Sequence, residues 1–219
     1  MIRVKLVVSV LVAFTALQIL SPDAVARKVK YFPSFREFST GRILEPGAPL
    51  QLKASDLLIT TTEGTIACED GRLTATLQNN TLSADGFLVT AAVFHNAKGE
   101  PCPSTTPLGA ATITTAPPKG GWPGLAKARS GQAKVTGPVV LTATFEPHPG
   151  QTVTCNWSAT KVRLTFIPNG QPIEARVSNA KFKRLDTEAE CPKRAFLSAD
   201  YNLTTQEPHS SKQVAVSMS

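Results

Sequence analysis

Short runs in which every second residue is apolar constrain this chain more than any other feature. Leu73, Ala75 and Leu77 alternate with Thr74, Thr76 and Gln78, and Val139, Leu141, Ala143 and Phe145 with Val140, Thr142 and Thr144. Val162, Leu164 and Phe166 alternate with Lys161, Arg163 and Thr165, and Leu197, Ala199, Tyr201 and Leu203 with Ser198, Asp200 and Asn202. A period of two sends successive side chains to opposite faces, so each run predicts a β-strand with one buried face. Residues 57–62, 87–94, 110–115 and 173–177 predict further strands, and the abundant Thr suits a pleated, half-solvated face. No window carries an i, i+3, i+4, i+7 apolar face longer than two turns. About ten strands at hairpin spacing predict an all-β fold, an antiparallel sandwich or barrel. Asp70-Gly71, Asp85-Gly86 and Asn169-Gly170 read as short turns between strands.

The first 26 residues are expected to lie outside that fold. Arg3 and Lys5 precede an apolar run over 6–20, then Ser21-Pro22 and Ala24-Val25-Ala26, the order of a secretory signal peptide cleaved after Ala26. Fifteen residues at about 1.5 Å each fall short of the roughly 30 Å hydrocarbon core, so no transmembrane anchor is expected. Cleavage leaves 219 − 26 = 193 residues, a chain expected to be secreted or extracytoplasmic. It takes two of the 23 basic and one of the 16 acidic side chains, and the net charge falls to about +6. Residues 27–56 read as an irregular N-terminal arm, 57–205 as the β domain, and 206–219 as a flexible tail. Within the β domain, 116–134 is a Pro- and Gly-rich loop that divides the chain near its middle.

The four cysteines fall two on each side of that loop. Thr65-Ile66-Ala67-Cys68 and Cys102-Pro103 in the first half match Thr152-Val153-Thr154-Cys155 and Cys191-Pro192 in the second. The closing segments Thr112-Ile113-Thr114-Thr115 and Asn202-Leu203-Thr204-Thr205 match as well. Two pseudo-repeated halves, 57–115 and 138–205, are therefore expected to share one core, since each is marginal alone. Four cysteines in an exported chain allow three disulfide pairings, and the repeat favours Cys68 with Cys102 and Cys155 with Cys191. The cysteines are single, with no His close in sequence, so no zinc or other metal site is expected.

Cys68, the Gly121-Trp122-Pro123 triplet, Cys155, Cys191-Pro192 and Tyr201-Asn202-Leu203-Thr204 together resemble a group of uncharacterised, secreted, Thr-rich proteins of high-GC Gram-positive bacteria. The resemblance spans roughly residues 57–205. It implies a β-rich exported domain with no established activity, and it contributes no site residues. This chain departs from the group in placing Trp before Pro and in a longer, more basic segment after the pair.

No nucleophile elbow, zinc-protease helix, phosphate loop or dinucleotide fingerprint occurs, so no catalytic residue, cofactor or enzymatic activity is expected. The basic residues are scattered, without the interleaved aromatics of a nucleic-acid surface, and nucleic acid is not an expected partner. The expected function is that of a structural or binding module of the cell envelope or extracellular space. Its candidate binding loop is Lys119, Trp122, Lys127 and Arg129, an aromatic beside cations, suited to an acidic envelope polymer or glycan. A Trp-Pro pair serves equally well to plug a barrel end. Two alternatives stand beside this one: a carrier whose barrel holds a small apolar ligand, and an inhibitor of secreted enzymes.

Overall fold

The computed structural model describes residues 35–80, 84–127, 130–167, 173–187, 189–206 and 213–218. The expected leader, the Asn169-Gly170 turn and Arg129 lie outside the described residues. The described elements are β1 (Phe35–Glu37), β2 (Pro49–Thr61), β3 (Thr65–Cys68), β4 (Asp70–Asn80), β5 (Ala84–His95) and β6 (Ala111–Thr115). They continue with β7 (Trp122–Lys127), β8 (Gln132–His148), β9 (Gln151–Ile167), β10 (Glu174–Arg184), β11 (Arg194–Gln206) and β12 (Gln213–Met218).

Every pairing is antiparallel, and the sheet closes on itself. Strands β2, β4, β5, β7, β8, β9, β10 and β11 follow one another around a ring, and β11 returns to β2 along Ala195↔Thr61 to Thr205↔Leu50. Of the two expected architectures, this closure selects the barrel. β6 makes a second bridge between β5 and β8, β3 prolongs β4 along the far part of β2, and β12 joins β11 to β1.

The period-two runs become the barrel interior. Leu141, Ala143 and Phe145 of β8, Leu164 and Phe166 of β9, and Leu197, Ala199, Tyr201 and Leu203 of β11 are all buried in one core. Long strands keep their inward face through bulges. Val135 and Val139 of β8 both face inward because Gly137-Pro138 form a bulge opposite β9, and β2 is re-phased in the same way between Ala54 and Asp56. Asp70-Gly71 and Asp85-Gly86 are not turns, contrary to the sequence expectation. Both dipeptides lie in register between strands, and their glycines mark close approach instead: a Cβ on Gly71 would meet Phe94 at 2.8 Å, and one on Gly86 the Asn79 amide at 2.9 Å.

Three further boundaries are corrected. The arm expected over 27–56 contains β1 and the first half of β2, whose Leu50, Leu52 and Ala54 face the core. The tail expected over 206–219 contains β12. The loop expected over 116–134 contains β7, whose Trp122, Gly124 and Ala126 point inward.

The two halves follow one plan. In each, a hairpin (β2 with β3 and β4, or β8 with β9) is followed by a third strand (β5 or β10) and a fourth (β6 or β11). Cys68 bonds Cys102 and Cys155 bonds Cys191, tying the hairpin's second arm to the segment before the fourth strand in both halves. The fourth strand of each half pairs with the first of the other. The closing Thr segments do not share this equivalence. Thr114 lies opposite Thr142, one rung from the Ala143↔Cys155 pair, whereas Thr204 lies opposite Gln51, far from the Leu57↔Cys68 pair.

The disulfides secure one end of the barrel, and β1 closes the other. Phe35 is fully buried and meets Phe166 edge to face, with ring centroids 5.5 Å apart. The Asn80 side chain accepts from Phe35 N at 3.1 Å and donates to the Phe35 and Leu44 carbonyls at 2.9 and 2.8 Å. Glu37 is buried beside it and accepts hydrogen bonds from Ser39 at 3.1 Å and Arg42 at 3.0 Å. Burial alone raises the pKa of this carboxyl, but hydrogen bonds from Thr40 and Ser39 and the Arg42 charge outweigh it and hold it below the usual range.

Two outcomes follow from this packing. A Cβ on Gly124 would run into the buried Phe87 ring, so Gly124→Ala is expected to cost about 1–3 kcal/mol in urea unfolding. Glu37 contributes stability that is complete above its unfolded pKa and lost as pH falls through its lower folded one. Thermal melts from about pH 7 to about pH 3 are expected to show Glu37→Gln less stable than the native chain at neutral pH and level with it in acid.

Candidate functional site

Strands β7, β8 and β9 are consecutive in the barrel, so their outward residues share one surface. Register places Leu125, Lys134 and Arg163 in one row across the three strands, and Thr136 opposite Lys161 in the next. Lys127 and Gln132 lie on the other side of that row. All of these except Thr136 line a concavity of about 490 Å³. Neighbouring strands are about 4.8 Å apart and alternate residues of one strand about 6.8 Å, so four cations on three strands and three rows occupy a patch about 10 Å by about 14 Å at the backbone. Among the described residues none of the four makes an ion pair, and no carboxylate lies on these rows. The next strand carries Glu174, and Arg176, which is bound to Asp200 at 2.6 Å. Leu125, 45% exposed, forms an apolar floor among the charges.

The wall is broken beside this face. Two short strands share the place between β5 and β8. The β7–β8 ladder ends at Gly124↔Val135 and the β6–β8 ladder starts at Thr114↔Thr142, so residues 136–141 of β8 have no partner on that side. On β5 the corresponding gap is Thr90 and Ala91. Trp122 fills the opening. It is 2% exposed, its Nε1 donates to the Pro138 carbonyl at 3.2 Å, and its ring lies over Gly137. Thr115 sits at the edge of the same break, and its Oγ1 is buried without a hydrogen-bond partner among the described residues.

Behind Trp122 the barrel holds a cavity of about 70 Å³ with an entirely apolar surface. Phe87, Val89, Val139, Leu141, Val162 and Tyr201 are among its walls. Burial pushes the Tyr201 phenol far above its usual range, so the ring stays neutral there.

The residues expected to form one binding loop are thus separated. Lys127 lies on the basic face, Lys119 is exposed in the segment crossing the break, and Trp122 points inward; it is no exposed aromatic. Lys161 and Arg163 were missing from the expected set because they are distant in sequence. Counting back from the Pro149-Gly150 turn places Thr165 opposite Lys134, with Arg163 on the same face; two bulges in β8 then shift the register by two and bring Arg163 opposite it. Cations also oppose each other at Lys53↔Arg72, where Lys53 shares a concavity with Glu69 and Asp70, and at Lys183↔Arg194. His95 contacts the Asn96 carbonyl at 2.7 Å, Glu69 accepts from Ala97 N at 3.3 Å, and among the described residues no three His, Cys, Asp or Glu are grouped to hold a metal ion.

The two tryptophans differ in a way that is measurable. Trp157 donates to the buried Pro192 carbonyl at 2.7 Å, whereas the Pro138 residue that serves Trp122 is exposed. An orphaned carbonyl is costly where water is excluded, so Trp157→Phe is expected to lose about 1 kcal/mol more in urea unfolding than Trp122→Phe. Comparison of the chain with protein-family models, with curated proteins and with solved structures found no match.

Proposed function

We propose that this protein is a secreted binding module of the cell envelope or extracellular space, which holds an acidic envelope polymer or glycan on the outer face of β7, β8 and β9. The observation that carries the reading is the direct opposition of Lys134 and Arg163, flanked by Lys127 and Lys161 with no carboxylate among them. Like charges facing each other across a ladder destabilise a sheet, so a face that keeps them unpaired gains when an anion is added. Two disulfides fit an oxidising compartment outside the cytoplasm. The reading is one of binding, not catalysis, because the face offers cations and an apolar residue but no acid, base or nucleophile set for proton transfer.

A second reading, the carrier of a small apolar ligand, is favoured by one observation: the cavity behind Trp122 exposes no polar surface. The first reading is tested by retention on immobilised polyphosphate across a salt gradient. The native chain is expected to be held at low salt and released as exposed charges are screened. Lys134→Glu with Arg163→Glu, both at exposed positions, is expected to pass through unretained while melting within a few degrees of the native chain. Equal retention of the two proteins would refute it.

A further inference from the structure

We infer that the partner of the basic face is an acidic amphiphile with a single hydrocarbon chain, its acid group on Lys134 and Lys161 and its chain entering the barrel past Trp122. The inference rests on the basic face being the binding face. Three features meet at one place to carry it. Lys161 lies opposite Thr136, next to the Gly137-Pro138 bulge, so the cations reach the lip of the break. At the break the wall lacks a ladder, as it also does between Arg176↔Thr165 and Lys183↔Ser158 of β10 and β9, and Trp122 is held across it toward β8 by its Nε1 bond to Pro138. Moving that side chain aside costs the one hydrogen bond and the burial of its ring, but no ladder hydrogen bond.

The interior decides what enters. With no polar surface in the cavity, an acid, sugar or phosphate group would be desolvated there without a partner, and such groups stay outside. Hydrocarbon meets no such cost. The room of about 70 Å³ is about half of a cavity of roughly 150 Å³ that admits benzene. The resident space therefore takes the end of a chain, and the place left by the displaced indole takes the part behind it.

Three probes separate the parts of this arrangement. Octanoate carries an acid and a chain, octanol the chain alone, and polyphosphate the acid alone. The readout is the indole N–H magnetic resonance signals of isotope-labelled protein, with Trp157→Phe identifying the one that belongs to Trp122. Octanoate is expected to shift the Trp122 signal and to bind about tenfold more tightly than octanol, the worth of one charge-assisted contact. Lys134→Glu with Lys161→Glu, which leaves the interior intact, is expected to remove that preference. Octanoate that leaves the Trp122 signal in place while polyphosphate still binds would overturn the amphiphile and leave the basic face standing. Equal binding of octanoate and octanol, untouched by charge reversal, would overturn the amphiphile as well. Failure of all three probes to bind would overturn both readings.

Discussion

The ladder between β2 and β11 is the interaction on which the rest depends. It joins the first long strand to the last barrel strand over eleven paired residues, broken by one bulge. Without it the molecule would be an open sheet with two long edges and an apolar face in water, a combination that invites pairing with other chains. With it, the inward rows of all eight wall strands face each other, and alternation along each strand becomes a sealed core. Ends of a barrel need separate closure. Here the two disulfides and Trp157 serve one end, and Phe35, pinned by Asn80, serves the other.

Closure also explains one of two gaps in the wall; the other lies between β9 and β10, where no pair joins Arg176↔Thr165 to Lys183↔Ser158. Each half supplies four wall positions, but the fourth of the first half is divided between β6 and β7, joined by residues 116–121. Neither short strand spans β8, and the uncovered stretch coincides with the bulge at Gly137-Pro138. Trp122 compensates with its bulk and one hydrogen bond. The break is therefore the consequence of one local event, the splitting of a single strand position, and the basic face and the cavity adjoin it.

Much of the interior was legible in the sequence, because alternation is a local property that burial enforces. The inward rows of β8, β9 and β11 are the residues that alternation marked. Strand β7 was hidden by its composition: in Trp122-Pro123-Gly124-Leu125-Ala126-Lys127 the inward members include a glycine, and Pro123 and Gly124 read as punctuation. Gly124 is there because Phe87 lies over it, a tertiary reason that no local pattern carries. The first half of β2 was masked in the same way by Pro46, Gly47 and Pro49. The cysteine repeat matched the topology, yet the Thr segments that reinforced it fall on different rungs, because a shared spacing in sequence does not fix register across a bulged sheet. Cations from β7, β8 and β9 met only once strand order was known.

The central claim, that the outer face of β7 to β9 and the adjoining break form the binding surface, is tested most directly by amide hydrogen exchange with and without a saturating acidic ligand. Amides facing the break, in residues 116–121 and 136–141, lack ladder partners there and exchange quickly enough for added protection to register. The account predicts slowed exchange in these segments and at the rim of the basic face, residues 125–127, 130–134 and 161–165, with β2, β4 and β11 unchanged. Protection centred on β2, β4 or β11, with the break exchanging as before, would contradict it.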